Sequence, residues 1–317
     1  MSNLTGDLNK SLAFIFPGQG SQSIEMLSSF SDVTEIVHTF ERASDAIGYD
    51  IWKLCQEGPV ESLNETDKTQ PALLTASVAL WNYWKTIGPL PGIMAGHSLG
   101  EYSALVCAGI LNFEVAIKLV EKRGQLMKQA VPAGIGKMAA IIGLDDDKID
   151  LACTQSAGSQ IVSPVNYNSP GQTVIAGNAE AVERAMEACK EAGAKRALPL
   201  AVSVPSHCML MKSASEALES ELSNILLNQS ESRVINNVDV KIELEPAKIK
   251  DALVRQLYCP VNWSKSIELM VNDGIETLIE CGSGKVLSGL NRRINRSLKS
   301  LSLQDLNSLN QSVESFN

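Results

Sequence analysis

The 317-residue sequence contains no C-x-x-C pair and no cluster of residues at metal-ligand spacing. Its seven cysteines are an odd number and stand singly among helix and strand patterns. Such a distribution is typical of small buried residues in a reducing compartment. No metal ion or other cofactor is therefore predicted.

The sequence also has little of what membrane proteins and nucleic-acid-binding proteins need. No apolar run approaches the ~18 residues that cross a bilayer, and no basic region precedes the first short apolar run, as it would in a secretory signal. The 27 basic and 36 acidic residues give a net charge of −9, which argues against general binding to nucleic acid or to an anionic membrane. We expect a cytoplasmic protein.

Two different rhythms of secondary structure follow one another along the chain. Strands alternate with amphipathic helices up to about residue 130, which indicates an α/β fold with a mainly parallel sheet. Residues 131–204 have the order β-α-β-β-α-β of a ferredoxin-like unit. We predict a large α/β subdomain at 1–130 and 205–317, with a small ferredoxin-like α+β subdomain inserted at 131–204.

Two finer expectations concern the large subdomain. One helix is predicted over Gln70–Ile87, beginning near Pro71, because proline is favoured in a first helical turn. Residues 301–317 are rich in Ser, Asn and Gln and are predicted to be a frayed tail.

The stretch Gly96-His-Ser-Leu-Gly100 matches the G-x-S-x-G pattern, which lifts a serine onto a sharp turn between a strand and a helix. A short strand before it and an alanine-rich helix after it favour this interpretation over a chance match in a loop. Ser98 is then a candidate nucleophile, and the backbone N–H of Leu99 a candidate oxyanion donor. A serine of this kind can give an acyl group to water or to another carrier.

Histidine is scarce, with only three candidates for a base that activates the serine. His38 lies in an amphipathic helix, and His97 adjoins Ser98 at a turn where neighbouring side chains point in different directions. His207 follows the last strand of the predicted small subdomain, so elimination favours it over a structural histidine. No motif singles out a third, acidic partner, although a backbone carbonyl can also orient a histidine.

Arg123 lies near the middle of the apolar arc of the helix predicted over Phe113–Ala130. A buried guanidinium needs a partner, which is either a structural carboxylate or an anionic ligand, and the pattern leaves both open. The loop FPGQGSQ (16–22) lacks the ending of a phosphate-binding loop. It is either an ordinary turn or the source of a second oxyanion donor, the N–H of Gln19.

With these residues assembled, the chain resembles the malonyl-CoA:acyl carrier protein transacylase family over about residues 12–300. The motifs that carry the resemblance are, in order, FPGQGSQ (16–22), QPALLTASVAL (70–80), GHSLGEYSALVCAG (96–109), VEKRGQLMKQAVP (120–132), VNYNSPGQTVIAG (165–177), SVPSHCMLMK (203–212) and RQLYCPVNW (255–263). The resemblance implies a hydrolase-like α/β core with an inserted ferredoxin-like subdomain. It also implies transfer of a malonyl group from malonyl-CoA to acyl carrier protein through a malonyl-serine intermediate.

The resemblance assigns roles to individual residues. Ser98 would be the nucleophile and His207 the base and acid. Arg123 would bind the free carboxylate of malonate. The N–H groups of Gln19 and Leu99 would form the oxyanion hole, and the backbone carbonyl of Gln256 would orient the histidine.

An acidic carrier protein needs a basic docking surface on this acidic chain. The candidates are Lys195, Arg196, Lys285, Arg292, Arg293 and Arg296, although each could equally be a solvated surface charge. Two other functions remain open: a serine esterase or thioesterase that uses the same turn, and a non-catalytic scaffold that binds acyl carrier protein.

Overall fold

The computed structural model describes residues 8–201 and 204–316. Its strands are β1 (Leu8–Phe16), β2 (Leu90–Gly96), β3 (Gly136–Ile142), β4 (Val162–Ser169), β5 (Gln172–Asn178), β6 (Arg196–Pro199), β7 (Val234–Ile235), β8 (Thr277–Glu280) and β9 (Lys299–Ser302). Its α-helices are α1 (Thr34–Ile47), α2 (Ile51–Glu57), α3 (Val60–Leu63), α4 (Thr66–Trp84), α5 (Leu99–Cys107), α6 (Phe113–Ala130), α7 (Asp146–Ala157), α8 (Ala179–Glu191), α9 (Lys212–Ser223), α10 (Pro246–Gln256), α11 (Trp263–Asn272), α12 (Val286–Ile294) and α13 (Leu306–Glu314).

Five strands form a parallel sheet in the order β7-β2-β1-β8-β9. The central strand β1 ends in the run LAFIF, which is fully buried. Alternate side chains of this run point to opposite faces, so Phe14 and Phe16 join the core beneath α1, α4 and α6, whereas Ala13 and Ile15 join the core beneath α11 and α12. Helices therefore cover both faces of the sheet, as in other parallel α/β folds.

Four strands form a second, antiparallel sheet in the order β4-β5-β3-β6. Helices α7 and α8 pack against one face of this sheet around Ile141, Ile149 and Val182. This β-α-β-β-α-β unit, beside the parallel sheet, confirms the predicted fold class. The bounds 131–204 of a small subdomain remain a prediction, and residues 202 and 203, just before its predicted end, lie outside the described residues.

The predicted start of one helix was wrong. Helix α4 begins at Thr66, so Pro71 lies inside it and not in its first turn. The earlier start has a tertiary cause, because α6 packs closely on this first turn. A Cβ at Gly124 would lie 2.5 Å from the Cα of Asp67. Pro71 removes only the one hydrogen bond that its missing N–H would donate to Asp67.

The predicted frayed tail was also wrong. Residues 299–302 add β9 to the edge of the parallel sheet beside β8. Helix α13 then begins after Asp305, whose carboxylate accepts a hydrogen bond from the N–H of Ser308 at 2.7 Å. The ring of Phe316 packs edge-on against Trp84, with 6.1 Å between the ring centres. The prediction rested on the polar composition of the segment, which does not show the few apolar contacts that hold it in place.

None of the helices within residues 8–201 and 204–316 is both long enough and apolar enough to cross a bilayer.

Candidate active site

Ser98 lies on the sharp turn between β2 and α5, at the carboxyl edge of the parallel sheet. Its backbone has φ 54° and ψ −109°, a strained conformation for a residue with a side chain. The turn brings α5 against the end of β1, and a Cβ at Gly100 would lie only 2.0 Å from the carbonyl oxygen of Phe16. Glycine is therefore required there, which explains the final glycine of the pattern.

His207 reaches Ser98 from a distant part of the sequence. Its Nε2 lies 2.8 Å from the Oγ of Ser98, and its Nδ1 lies 2.6 Å from the backbone carbonyl oxygen of Gln256. Because a carbonyl oxygen can only accept, Nδ1 carries the proton and Nε2 is free to accept the proton of the serine hydroxyl. The structure thus brings together the predicted serine, histidine and orienting carbonyl.

The environment of His207 keeps its ring neutral. The side chain is buried, and burial together with the nearby positive charge of Arg123 lowers its pKa to about 3. The hydrogen bond to the Gln256 carbonyl opposes this shift without cancelling it. A neutral imidazole at physiological pH is the form that can act as a base.

Arg123 is fully buried in α6. Its Nη1 donates to Oε1 of Gln70 at 2.7 Å and its Nη2 to Oε1 of Gln256 at 3.0 Å, while Nη2 also lies 3.5 Å from the Oγ of Ser98. The Tyr102 ring centre is 5.4 Å from the guanidinium carbon. In the part of the chain that the structure describes, Arg123 forms no ion pair with a carboxylate, and its Nε has no hydrogen-bond acceptor.

A chain of polar side chains links Arg123 to the loop after β1. Nε2 of Gln70 donates to the hydroxyl of Thr66 at 2.9 Å, and that hydroxyl donates to Oε1 of Gln19 at 2.9 Å. The backbone N–H groups of Gln19 and Leu99 belong to the two segments that flank the serine. Of the two, only Gln19 lines the cavity beside Ser98.

Two further buried residues support the turn, and sequence reasoning missed both. Asn237 accepts a hydrogen bond from the N–H of Ser98 at 2.7 Å and donates from Nδ2 to the carbonyl oxygen of Gly96 at 2.6 Å. The N–H of Asn237 in turn donates to the carboxylate of Glu101 at 3.0 Å. No local pattern marks Asn237, whereas Glu101 had a signal, as a charged residue in an otherwise apolar stretch of helix.

His97 turns away from the serine, as the sequence predicted. Its Nε2 lies 2.8 Å from Oδ1 of Asn168 in β4, and its ring packs against Trp263. This histidine therefore connects the strand-to-helix turn to the antiparallel sheet and does not contact the hydroxyl of Ser98 in the structure.

A cavity of about 330 Å³ opens over the serine, between the two sheets. Ser98, His97 and His207 form one side of the cavity. The remaining lining residues are Gln19, Gly20, Gln22, Asn64, Met138, Asn166, Leu200, Ala201, Val204 and Ser206. The antiparallel sheet thus supplies one wall of the space in which a substrate would meet the serine.

The predicted docking residues come from two separate elements. Arg196 begins β6 and pairs with Ile142, which on its other side pairs with Gln172 of β5. Arg293 of α12 donates to Oε1 of Gln172 at 2.5 Å. The exposed side chains of Lys195, Arg196 and Arg293 therefore lie at one end of the antiparallel sheet. Arg292 is also exposed, but it lines a separate groove with residues of β9 and α13.

A serine on a strand-to-helix turn of a parallel α/β sheet, paired with a histidine whose other nitrogen is held by an acceptor, defines the class of serine-dependent hydrolases and acyltransferases. Within this class, the chain belongs to the acyl transferase domain family, which matches residues 13–305, and it is an acyltransferase.

Individual relatives confirm the resemblance seen in the motifs. The malonyl CoA-acyl carrier protein transacylase of Salmonella typhimurium is 60% identical over 295 residues, which cover 92% of this chain and 96% of the relative. The protein of the same name from Bacillus subtilis is 43% identical over 307 residues, covering 96% and 97% of the two chains.

Solved structures agree with this relationship. One contains a type II PKS acyl-carrier protein in complex with its malonyl-transacylase. Its matched chain is 55% identical with a TM-score of 0.95, and the match covers 96% of this chain and 100% of that one. An acyl carrier protein S-malonyltransferase from Vibrio cholerae is 56% identical with a TM-score of 0.94, and the match covers 96% and 100%.

Proposed function

We propose that the protein transfers a malonyl group from malonyl-CoA to the phosphopantetheine thiol of acyl carrier protein, and so supplies fatty-acid synthesis. The observation that carries this proposal is the fully buried guanidinium of Arg123 beside Ser98. Its hydrogen-bond partners among the described residues are neutral amide oxygens and no carboxylate contacts it directly, so the guanidinium can still pair with an anion. The free carboxylate of a malonyl group matches the planar fork of arginine in charge and in shape.

In the first half of the reaction, Nε2 of His207 takes the hydroxyl proton of Ser98 while the Oγ attacks the thioester carbonyl of malonyl-CoA. The N–H groups of Gln19 and Leu99 stabilise the negative charge that develops on the carbonyl oxygen. The bond from carbon to sulfur then breaks. The CoA sulfur receives the proton from His207 and leaves as a thiol, with the malonyl group held as an ester on Ser98.

The second half reverses these steps with a different thiol. His207 takes the proton from the phosphopantetheine thiol of the carrier, and the sulfur attacks the ester carbonyl. The ester bond breaks, Ser98 regains its proton from His207, and the malonyl group leaves as a thioester of the carrier. Arg123 holds the carboxylate in the same place throughout, which keeps the carbonyl aligned for the incoming thiol.

We further propose that the basic residues at one end of the antiparallel sheet receive the carrier protein. Two separate elements contribute to this patch, and the hydrogen bond from Arg293 to Gln172 fixes one of them against the other. A basic patch on a chain of net charge −9 would attract an acidic partner locally. We expect the cytoplasm to be the compartment of the protein.

The fate of a labelled malonyl group tests the reaction class. The protein is incubated with labelled malonyl-CoA and holo acyl carrier protein, and the label is followed in the carrier thioester and in free malonate. Transfer predicts label on the carrier with little free acid. A thioesterase would release free malonate whether or not the carrier is present, and a scaffold would leave malonyl-CoA intact.

A further inference from the structure

Glu101 is a buried carboxylate that takes no part in the steps above. It lies in α5, three residues after Ser98, and only 2% of its surface is exposed. Carboxylates are seldom buried to this extent unless they are partnered. Its Oε2 accepts hydrogen bonds from Nε2 of Gln256 at 2.7 Å and from the N–H of Asn237 at 3.0 Å.

Gln256 connects this carboxylate to both proposed functional side chains. Its backbone oxygen accepts from His207, and its Oε1 accepts from Nη2 of Arg123 at 3.0 Å. Its Nε2 donates to Glu101 and, at 3.0 Å, to the carbonyl oxygen of Ser98. Every polar atom of the side-chain amide is therefore engaged with a group of the site.

The orientation of this amide matters because its two ends are chemically opposite. If the amide were rotated by half a turn, its NH₂ group would face the guanidinium of Arg123, and donor would meet donor. An ionised carboxylate can only accept hydrogen bonds, so Glu101, together with the carbonyl oxygen of Ser98, favours the orientation in which Nε2 faces both acceptors. The amide oxygen is then left facing Arg123.

We propose that Glu101 is a positioning residue that orients the Gln256 amide and, through it, the guanidinium of Arg123. It thereby sets the preference for an acyl group that carries a free carboxylate. This inference rests on the proposed function and deepens it. Arg123 is held by two amide oxygens, from Gln70 and Gln256, and loss of one of them removes one of the two hydrogen bonds that fix the plane of the guanidinium. A two-pronged contact with a carboxylate depends on that orientation.

Two opposing influences act on the charge of Glu101. Burial raises its pKa to about 7, whereas the donors Gln256 and Asn237 and the charge of Arg123 act in the opposite direction. The contact with the Gln256 amide therefore favours the acceptor-only form of the carboxylate.

A second buried carboxylate provides a matched control. Glu280, at the end of β8, is fully buried and accepts hydrogen bonds from the N–H groups of Leu287 and Ser288 in α12. Like Glu101, it satisfies backbone donors in the interior, but the groups that it contacts lie outside the candidate site. Its replacement measures the cost of losing a buried carboxylate as such.

The test compares four variants: Glu101→Met, Glu101→Asp, Glu101→Gln and Glu280→Gln. Methionine has a similar side-chain volume but no carboxylate to accept the hydrogen bonds. Aspartate keeps the charge, but its side chain is shorter by one methylene group, so the carboxylate lies farther from the two donors. Glutamine removes the charge but keeps an oxygen that can face both donors. For each variant, acylation by malonyl-CoA and by acetyl-CoA is followed by intact-protein mass spectrometry, kcat/KM is obtained for each, and folding is checked by thermal denaturation.

We expect the ratio of malonyl to acetyl kcat/KM to fall about tenfold or more in Glu101→Met and Glu101→Asp, because a buried hydrogen bond to a charged group is lost. Most of the ratio should return in Glu101→Gln, and Glu280→Gln should keep the wild-type ratio. If Glu101→Met does not fold, Glu101→Asp decides.

Two outcomes would contradict the inference, and a third would contradict the proposed function on which it rests. An equal fall in kcat/KM for malonyl-CoA and acetyl-CoA would mean that Glu101 has only a structural role. A wild-type ratio of malonyl to acetyl kcat/KM in Glu101→Asp would also overturn the inference. If the wild-type protein itself is not acylated by malonyl-CoA, the proposed function fails first, and the two failures are thereby distinguished.

Discussion

The parallel sheet and the antiparallel sheet meet at the same cavity but supply different groups to it. Ser98 comes from the carboxyl edge of the parallel sheet, and Arg123 and Gln256 come from helices of that part of the chain. The antiparallel sheet contributes wall residues, among them Met138 and Asn166. The parallel-sheet region therefore supplies the strained backbone of Ser98 and the buried charge of Arg123, whereas the antiparallel sheet supplies side chains that line the cavity.

The difference follows from how each sheet is built. Parallel strands end at a common edge, where helices begin and polar backbone groups converge. The antiparallel sheet has helices on one face, while Met138 and Val165 on its other face pack with Cys208. Because Cys208 follows His207 directly, this sheet also supports the loop that carries the histidine. We therefore expect changes in the parallel-sheet region to act on the chemistry, and changes in the antiparallel sheet to act mainly on substrate binding.

The largest effect is expected from His207→Ala. Loss of the group that moves the proton should slow acylation of Ser98 by about 10² to 10⁴, the range typical of general acid–base catalysis. Single-turnover acylation by malonyl-CoA measures the loss. His38, exposed on α1, is a matched control, and His38→Ala should acylate at the wild-type rate. Rapid acylation of His207→Ala would remove the histidine from the mechanism.

The next effect is a change of substrate preference in Arg123→Met. The malonyl group loses a charged hydrogen-bonding partner, so its kcat/KM should fall about 10²-fold, while that of acetyl-CoA should fall much less. Competition between the two thioesters measures the ratio. Arg184 of α8, which hydrogen-bonds the carbonyl oxygen of Ser156, is the control from the other region. A strict malonyl preference in Arg123→Met would contradict the assignment.

A smaller effect is expected from the double change Arg292→Glu and Arg293→Glu. Reversing these exposed charges should slow malonyl transfer to the carrier by about tenfold at low salt, and by less at high salt, because steering is screened. Exchange of the malonyl group between CoA molecules should not change. If transfer to the carrier is also unaffected, the carrier docks elsewhere.

The smallest effect is expected from a substitution in the cavity wall that the antiparallel sheet supplies. Leu200→Ala removes apolar surface from the cavity without touching the proposed catalytic groups. KM for malonyl-CoA should rise by about two- to fivefold, since three apolar carbon atoms are lost from a partly exposed site. The maximal rate of acylation should stay near that of the wild type. If the maximal rate of acylation changed more than KM, the antiparallel sheet would act on the chemistry as well, which would contradict the proposed difference between the two regions.

The sequence predicted those features that depend on local pattern. The buried run of β1, the turn at Ser98 and the β-α-β-β-α-β order are encoded by spacing within short segments. The last strand and helix were missed because they are held by distant partners, β8 and Trp84. Helix α4 was predicted to begin too late because its first turn is fixed by contact with α6.

The candidate site divides in the same way. Ser98, His207 and Arg123 were singled out by a motif, by scarcity and by a charge on an apolar face. The residues that hold them, such as Gln70 and Asn237, are ordinary polar residues in the sequence. Their importance comes from hydrogen bonds across more than fifty positions, which no local pattern encodes.

The most direct test of the account is the mass of the intact protein after brief exposure to malonyl-CoA. We predict an added mass of one malonyl group, located on Ser98 by peptide analysis, absent in Ser98→Ala and discharged when holo acyl carrier protein is added. A protein that transfers malonate at the normal rate without any adduct on Ser98, or an adduct that the carrier cannot discharge, would contradict the account.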